Sequence, residues 1–411
     1  MVSYTCDGST AVIVSNCNRR GWEQLDEGDE NFDVYFASVS HLKYVFGSDM
    51  RLGPTQRINH FPNHFELTRK DLLCKNIKRH QQLAKRGGGA AAAAQLDILP
   101  ETFVLPHEHA LFVEAFRKEG GLGTWIMKPT GSSQGKGIFL INKLSQVRQW
   151  SNSSLPPALR NASSNYIVSR YIKDPLLISG KKFDLRLYVL VTSFKPLKVY
   201  LSDLGFARFC TVQYTTQELD NEFVHLTNVA IQKTGDAYNS KHGNKWTLQN
   251  LRLYLEASQG DEATEKLFGD IERVITLSLQ ACQAIVTSDR HCFELYGYDI
   301  MIDSALKPWL IEVNASPSLA TTTEADRILK TRVVADMLDI ITPPEWMEPE
   351  PTVDVRSSFT ASGPLWMAAD ICTAHSAGAQ LAIDGLGAFT GRILAAASLR
   401  PVSDVLSSDF A

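Results

Sequence analysis

The stretch Lys181–Phe194, KKFDLRLYVLVTSF, alternates with a period of two. Phe183, Leu185, Leu187, Val189 and Val191 fall on one face, and Lys182, Asp184 and Arg186 on the other. Successive side chains of a strand point to opposite faces, so this pattern predicts a β-strand with one apolar and one charged face. Two cations flanking an anion can contact phosphates and a ribose. They can also pair among themselves as a surface ladder.

A second constraint lies in FELYGYDIMID and PWLIEVNAS, which read as two strands. Glu312 and Asn314 are two apart, so their side chains share a face. A hairpin that pairs Asp299 with Glu312 has its centre between Ala305 and Leu306, inside DSALKP, a stretch with turn chemistry. Three oxygen ligands then converge. Hard oxygen ligands in small number suit Mg²⁺ held together with phosphates. Glu312 sits inside WLIEVN, a run that otherwise reads as buried, which argues against an exposed decorated strand.

The third feature is GSSQGKG, Gly131–Gly137, between the strand TWIMKP and the strand GIFLINK. Its spacing is neither that of a Walker P-loop nor GxGxxG. No helix begins at the loop, so P-loop and Rossmann enzymes are excluded. A glycine-rich loop between strands can fold its backbone N–H groups over phosphates, or can be an ordinary hairpin loop. Lys128, three residues upstream, can reach phosphates as a point charge.

The 411 residues suggest two or three domains, and 44% hydrophobic with 21% charged residues is ordinary globular usage. The net charge of −4 is uneven: residues 344–411 hold eight Asp/Glu against three Arg. No global basic field marks a nucleic-acid binder. Seven scattered Cys without a CxxC pair argue against disulfides or a zinc knuckle and fit a reducing compartment. A secretory signal and an apolar run of about 18 residues are both lacking, so a soluble, cytosolic chain without a membrane span is expected. Residues 1–65 read as a small mixed segment. Residues 66–86 carry seven Lys/Arg against two Asp/Glu, and Thr68 with Asp71 resembles a capping box that starts a helix. That basic helix is either a solvated face or a dock for an acidic partner. GGGAAAAA, Gly87–Ala94, reads as a loop insertion. A helix is expected near His107–Lys118, a loop over 151–165 and helix over 246–288. PPEWMEPEPT breaks structure after residue 343. No internal repeat is present.

Two lysines, a glycine hairpin, a charged strand and a late D…ExN hairpin follow one another in the order of an ATP-grasp ligase. The chain resembles the tubulin tyrosine ligase-like family, in the branch of tubulin polyglutamylases, and is most similar to those of ciliary axonemes. The resemblance is carried by NHFPNHFELTRKDLLCKNIKR, TWIMKP…SQGKGIFLINK, GKKFDLRLYVLV, FVHLTNVAIQK, NKWTLQNLRLYL and ELYGYDIMID…LKPWLIEVNASPSL, over roughly residues 20–340. It implies a mixed α/β (α+β) ATP-grasp fold. A small N-terminal domain would span 1–75, a central domain 76–180 and a C-terminal domain 181–343. The nucleotide would lie between the latter two, and 344–411 would form a weakly ordered tail.

The resemblance also implies roles. Lys128 would contact ATP, with Gln134 and Gly135 in the phosphate loop. Ser169, Arg170, Tyr171 and Ile172 would frame the adenine, and Lys182, Asp184, Thr227 and Asn228 would add nucleotide contacts. Arg186, near the phosphates and the reacting carboxylate, would be catalytic together with Lys128. Asp299, Glu312 and Asn314 would bind Mg²⁺, and Arg208 and Lys245 the incoming amino acid. Read alone, Thr227–Asn228 is an ordinary turn and the latter two cations are ordinary surface charges. His225 and His291 receive no catalytic role. The implied reaction is ATP-driven joining of free L-glutamate, through an acyl phosphate, to glutamate side chains in tubulin tails. Glycine or tyrosine as donor, or a catalytically silent microtubule-binding subunit, are the alternatives. The implied setting is the cytoplasm and cytoskeleton, at a cilium, flagellum or basal body, with microtubules and further complex subunits as partners.

Overall fold

The computed structural model describes residues 1–8, 10–47, 51–131, 135–147, 165–238, 243–343, 346 and 399–402. Three sheets organise them. The first joins β1 (Ser3–Cys6), β2 (Glu23–Gln24), β3 (Val34–Phe36) and β4 (Arg57–Ile58) in the order β2-β1-β3-β4, all parallel. Helices α1 (Ala11–Arg19) and α2 (Leu42–Gly47) lie between its strands in the chain.

Helices α3 (Phe65–Thr68) and α4 (Lys70–Ala94) lead to the second sheet. Thr68 is not the expected cap. It ends α3, where its hydroxyl donates to the His64 carbonyl at 3.3 Å, and α4 starts after Arg69 without a side-chain cap. A hydroxyl spent on the preceding turn cannot cap the next helix. The Gly/Ala run is helix rather than a loop, kinked at Gly89, whose φ is +76°. Alanine is the strongest helix former, and only a glycine accepts that dihedral cheaply.

The second sheet joins β5 (Thr102–Leu105), β6 (Trp125–Pro129), β7 (Phe139–Ile141) and β8 (Tyr166–Arg170) in the order β5-β8-β6-β7, all antiparallel. Helix α5 (His109–Lys118) covers it with Phe112 and Phe116, which pack beside Trp125 and Met127. The loop expected over 151–165 lies outside the described residues except for Asn165.

The third sheet is the largest. It contains β9 (Leu177–Ile178), β10 (Lys181–Phe194), β11 (Leu197–Phe209), β12 (Lys245–Thr247), β13 (Glu294–Ile302), β14 (Pro308–Asn314) and β15 (Leu399–Pro401). Its main order is β12-β11-β10-β13-β14, with β9 on β10 and β15 on β11. The remaining helices are α6 (Glu222–His225), α7 (Val229–Gln232), α8 (Leu248–Gln259), α9 (Asp261–Gln283) and α10 (Glu324–Ile341). The helical stretch expected over 246–288 is two helices, separated at Gly260 with φ +89°. The expected weakly ordered tail lies outside the described residues apart from 346 and 399–402, and there β15 is paired strand. The expected boundary after residue 75 falls inside α4.

The alternating strand, β10, runs through the middle of this sheet. Its apolar face is sealed by Leu73 and Ile77 of α4, Leu251 and Leu255 of α8, and Leu267, Ile271 and Ile275 of α9. Each buried side chain of this size contributes roughly 1.5–3 kcal/mol. The opposite, charged face is no surface ladder. Lys182 is 2% exposed and Asp184 4%, because the second sheet and the 225–228 segment roof over this face.

Candidate functional site

The sheet register gathers the charged residues. Arg186 lies opposite Asp299, and Asp299 opposite Glu312, so one row crosses β10, β13 and β14. Asp184 lies opposite Arg208, and Arg208 opposite Lys245, so the next row crosses β10, β11 and β12. Residues opposed in register share a face. Glu312 and Lys245 stand four strand spacings apart, about 19 Å.

Asp299 meets Glu312 as expected, but by a different route. The turn pairs Ile302 with Pro308, so its centre is Ala305 rather than the Ala305–Leu306 bond. A bulge between Asp299 and Ile300 then restores the register by one extra residue. Asp303 holds the turn, its carboxylate accepting from the N–H groups of Ala305 and Lys307 at 2.9 Å each.

Arginines brace the carboxylates. Arg186 donates to Asp299 through Nε at 2.6 Å and Nη2 at 3.2 Å. Arg208 donates to Asp184 through Nε at 2.8 Å and Nη2 at 2.6 Å, and its Nη2 stands 2.9 Å from Asp299 Oδ2. Against the burial that would raise it, the two guanidiniums hold the Asp299 carboxyl well below the usual range. The Thr227 hydroxyl donates to Asp184. Such bidentate, charge-assisted bonds fix geometry as well as energy.

One cavity opens between β6 and β8 of the second sheet and β10, β13 and β14 of the third. Ile126, Ile138, Ile167, Leu226, Met301 and Leu310 make it largely apolar, and Ser169, Arg170, Tyr171 and Ile172 run along one side. Lys128, Gly135, Lys182, Asp184, Thr227, Asn228, Asp299 and Glu312 also line it. Gly135 has φ +81°, and a side chain there would collide with Ile231. Arg186, Arg208, Lys245 and Asn314 are not on the cavity wall. Gln134 lies outside the described residues.

Two lysines reach the cavity without a carboxylate in ion-pair range among the described residues. Lys182 Nζ donates to Tyr171 Oη at 3.0 Å and to the His225 carbonyl at 2.9 Å. His225 Nε2 is 2.8 Å from the Glu218 carbonyl, so it carries the proton, and Nδ1 accepts from Tyr171 at 2.8 Å. Burial pushes Lys182 and His225 down. Burial also pushes Lys128 down to about 8. A buried ammonium without a counter-charge is a place for an anion.

Asp299, Glu312 and Asn314 offer two carboxylates and an amide on one face. Asn314 Nδ2 turns to the Gly297 carbonyl at 3.2 Å, which leaves Oδ1 as the outward atom. Each carboxylate keeps an acceptor position beyond its protein partners. This donor set fits Mg²⁺.

Two residues escaped the sequence reading. Lys70 lines the cavity and stands 3.0 Å from Glu312. It lies in LTRKD, where the sequence places it among the cations of the basic helix. His225 sits in FVHLTN, where a lone histidine carries no signal until Tyr171 and Lys182 are brought beside it.

A model of the tubulin-tyrosine ligase family matches residues 48–350. The chain is 47% identical to the probable alpha-tubulin polyglutamylase Ttll1 of Tetrahymena thermophila, over 84% of this chain and 87% of that protein. It is 44% identical to the probable tubulin polyglutamylase TTLL9 of Bos taurus, over 79% and 76%. It is 40% identical to the human tubulin polyglutamylase TTLL5, over 80% of this chain and 25% of that longer protein.

Proposed function

The chain belongs to the tubulin-tyrosine ligase family, and we propose that it is a tubulin polyglutamylase. It would join free L-glutamate to side-chain carboxylates of glutamates in tubulin C-terminal tails, using ATP and Mg²⁺. The observation that carries this reading is the convergence of Lys128 and Lys182 with Asp299 and Glu312 on one largely apolar cavity.

In this reading the second and third sheets are the central (76–180) and C-terminal (181–343) lobes of an ATP-grasp fold, and 1–75 is the small N-terminal domain. Ile126, Ile167 and Met301, beside Ser169–Ile172, would hold the adenine. Lys128, Lys182 and Gly135 would hold the phosphates, with Thr227 and Asn228 at the edge and Gln134 as a further proposed contact. Mg²⁺ held by Asp299, Glu312 and Asn314 would neutralise charge developing on the transferring phosphoryl group.

An oxygen of the acceptor carboxylate attacks the γ-phosphorus, ADP leaves, and an acyl phosphate forms. The amine of free glutamate attacks the acyl carbon, phosphate leaves, and an isopeptide bond remains. Arg186, aimed by Asp299, orients the reacting carboxylate. Arg208 and Lys245 hold the donor's carboxylates. Exposed Lys75, Arg79, Lys85 and Arg86 on α4 attract the acidic tail. Microtubules, in an axoneme or basal body and with further subunits, are the partners in this reading.

The test is incorporation of labelled glutamate into microtubules by the full chain with Mg-ATP, beside Glu312→Gln and with glycine and tyrosine as competitors. Incorporation that needs ATP and Glu312 and ignores both competitors is expected. Full activity of Glu312→Gln would overturn the site, and competition by glycine or tyrosine would overturn the donor.

A further inference from the structure

At the donor end of the charged face one lysine is bound to both oxygens of a single buried carboxylate. Lys245 Nζ donates to both carboxylate oxygens of Asp326 on α10, at 2.9 and 2.8 Å. The two side chains are 11% and 1% exposed. The Lys245 ammonium also stands 5.0 Å from the centre of the Phe206 ring. Asp326 Oδ2 further accepts from the hydroxyl of Thr322 at 2.7 Å and its N–H at 3.2 Å. Lys330, one turn along α10, donates to the carbonyl of Ala320. The segment that follows Asn314, helix α10 and strand β12 therefore meet at one carboxylate.

Counting N–H groups shows what this arrangement leaves over. Arg208 commits Nε and Nη2 to Asp184 and Asp299, so the Nη1 pair stays available. Lys245 commits two of its three N–H groups to Asp326. Its ring and carboxylate contacts decide where the third points. Arg208, Lys233 and Lys330 are further cations near Lys245; Arg208 is paired with Asp184 and Asp299, and Asp326 is the carboxylate bound to Lys245.

We propose that Asp326 is a positioning residue for the donor amino acid: it aims the Lys245 ammonium at a donor carboxylate and so sets donor affinity. The assignment rests on the reading of Lys245 as a donor contact. It does not require Asp326 to touch the donor or the reacting atoms.

The test is steady-state incorporation of labelled glutamate by the full chain, with KM for glutamate and for ATP measured separately. Asp326→Asn is expected to raise KM for glutamate about tenfold, with KM for ATP within about twofold, and Asp326→Glu to recover most of the loss. An unchanged or lowered KM for glutamate in Asp326→Asn overturns the proposal, as does an equal rise in both constants. Lys245→Ala beside it separates two failures. If Lys245→Ala leaves KM for glutamate unchanged, the donor reading of Lys245 falls and the role of Asp326 with it. If Lys245→Ala raises it and Asp326→Asn does not, only the role of Asp326 falls. Should Asp326→Asn not fold, Thr322→Ala takes its place: a rise of a few-fold in the same KM supports the proposal, and no change overturns it.

Discussion

The two ends of the charged sheet face treat their cations differently. On the cavity side Lys182 is buried against the Tyr171 hydroxyl and the His225 carbonyl, and Lys128 is buried too, neither with a carboxylate in ion-pair range among the described residues, while Lys70 beside them pairs with Glu312. On the β11–β12 side, Arg208 is bound to Asp184 and Asp299, and Lys245 to Asp326. A buried charge is costly unless it is paired. The paired end is held by its own charges and stays built without a ligand. The two unpaired lysines carry a standing penalty that an anionic ligand or deprotonation removes. In the proposed reading, ligand binding falls where stability is sacrificed, and rigidity where the charges close on themselves.

The sharpest way to break this contrast is Asp299→Ala. It strips a partner from both Arg186 and Arg208, so a stability loss of about 3–5 kcal/mol is expected in urea melts. Glutamate incorporation should fall by roughly 10²-fold or more. A variant that melts and ligates like the parent chain would remove the basis for both rows.

Lys182→Met tests the other half. Removing an uncompensated buried ammonium should leave the melting temperature unchanged or raised, while ATP affinity drops about 10–100-fold for the loss of a charged contact. Arg208→Met should do the reverse in melting, losing stability because Asp184 and Asp299 remain. If both variants lose stability equally, the distinction between paired and unpaired ends is wrong.

Acidity sharpens it further. Burial depresses Lys128 to about 8 from an ordinary 10.5. Between those values the unfolded chain binds the proton and the folded one does not. The penalty for the charged lysine is therefore fully present below pH 8, and the stability of the unliganded chain rises as pH climbs toward 10.5. With the phosphates on that ammonium, as proposed, ATP affinity should fall over the same climb, by up to about tenfold per pH unit. Lys128→Arg should flatten that fall, because a guanidinium stays charged. Titrating ATP binding from pH 7 to 9 in both chains decides it.

The smallest effect belongs to the basic helix. Of its seven cations, Lys70, Lys78 and Arg69 are committed to Glu312, Glu108 and Asp71. Neutralising exposed Lys75, Arg79 and Lys85 together should weaken microtubule binding by only a few-fold and flatten its salt dependence. Sedimentation at two ionic strengths measures both. An unchanged salt dependence would mean that the tail is not steered by this face.

Local periodicity was enough to read several features in advance. The alternation in KKFDLRLYVLVTSF determined that β10 has an apolar and a charged face, because side-chain direction in a strand depends only on residue parity. The spacing of Glu312 and Asn314 determined that they share a face for the same reason. The motif order carried the resemblance. What only the tertiary structure decided is which charges meet. Sequence shows Arg208 and Lys245 as isolated cations, but strand order sets them in one row with Asp184, and α10 supplies Asp326 from 81 residues away. The bulge before Ile300, the pairing of Lys70 with Glu312 and the link from Lys182 through Tyr171 to His225 were invisible for that reason too. Burial and pairing belong to neighbours in space, and those neighbours come from segments whose sequences do not mention one another.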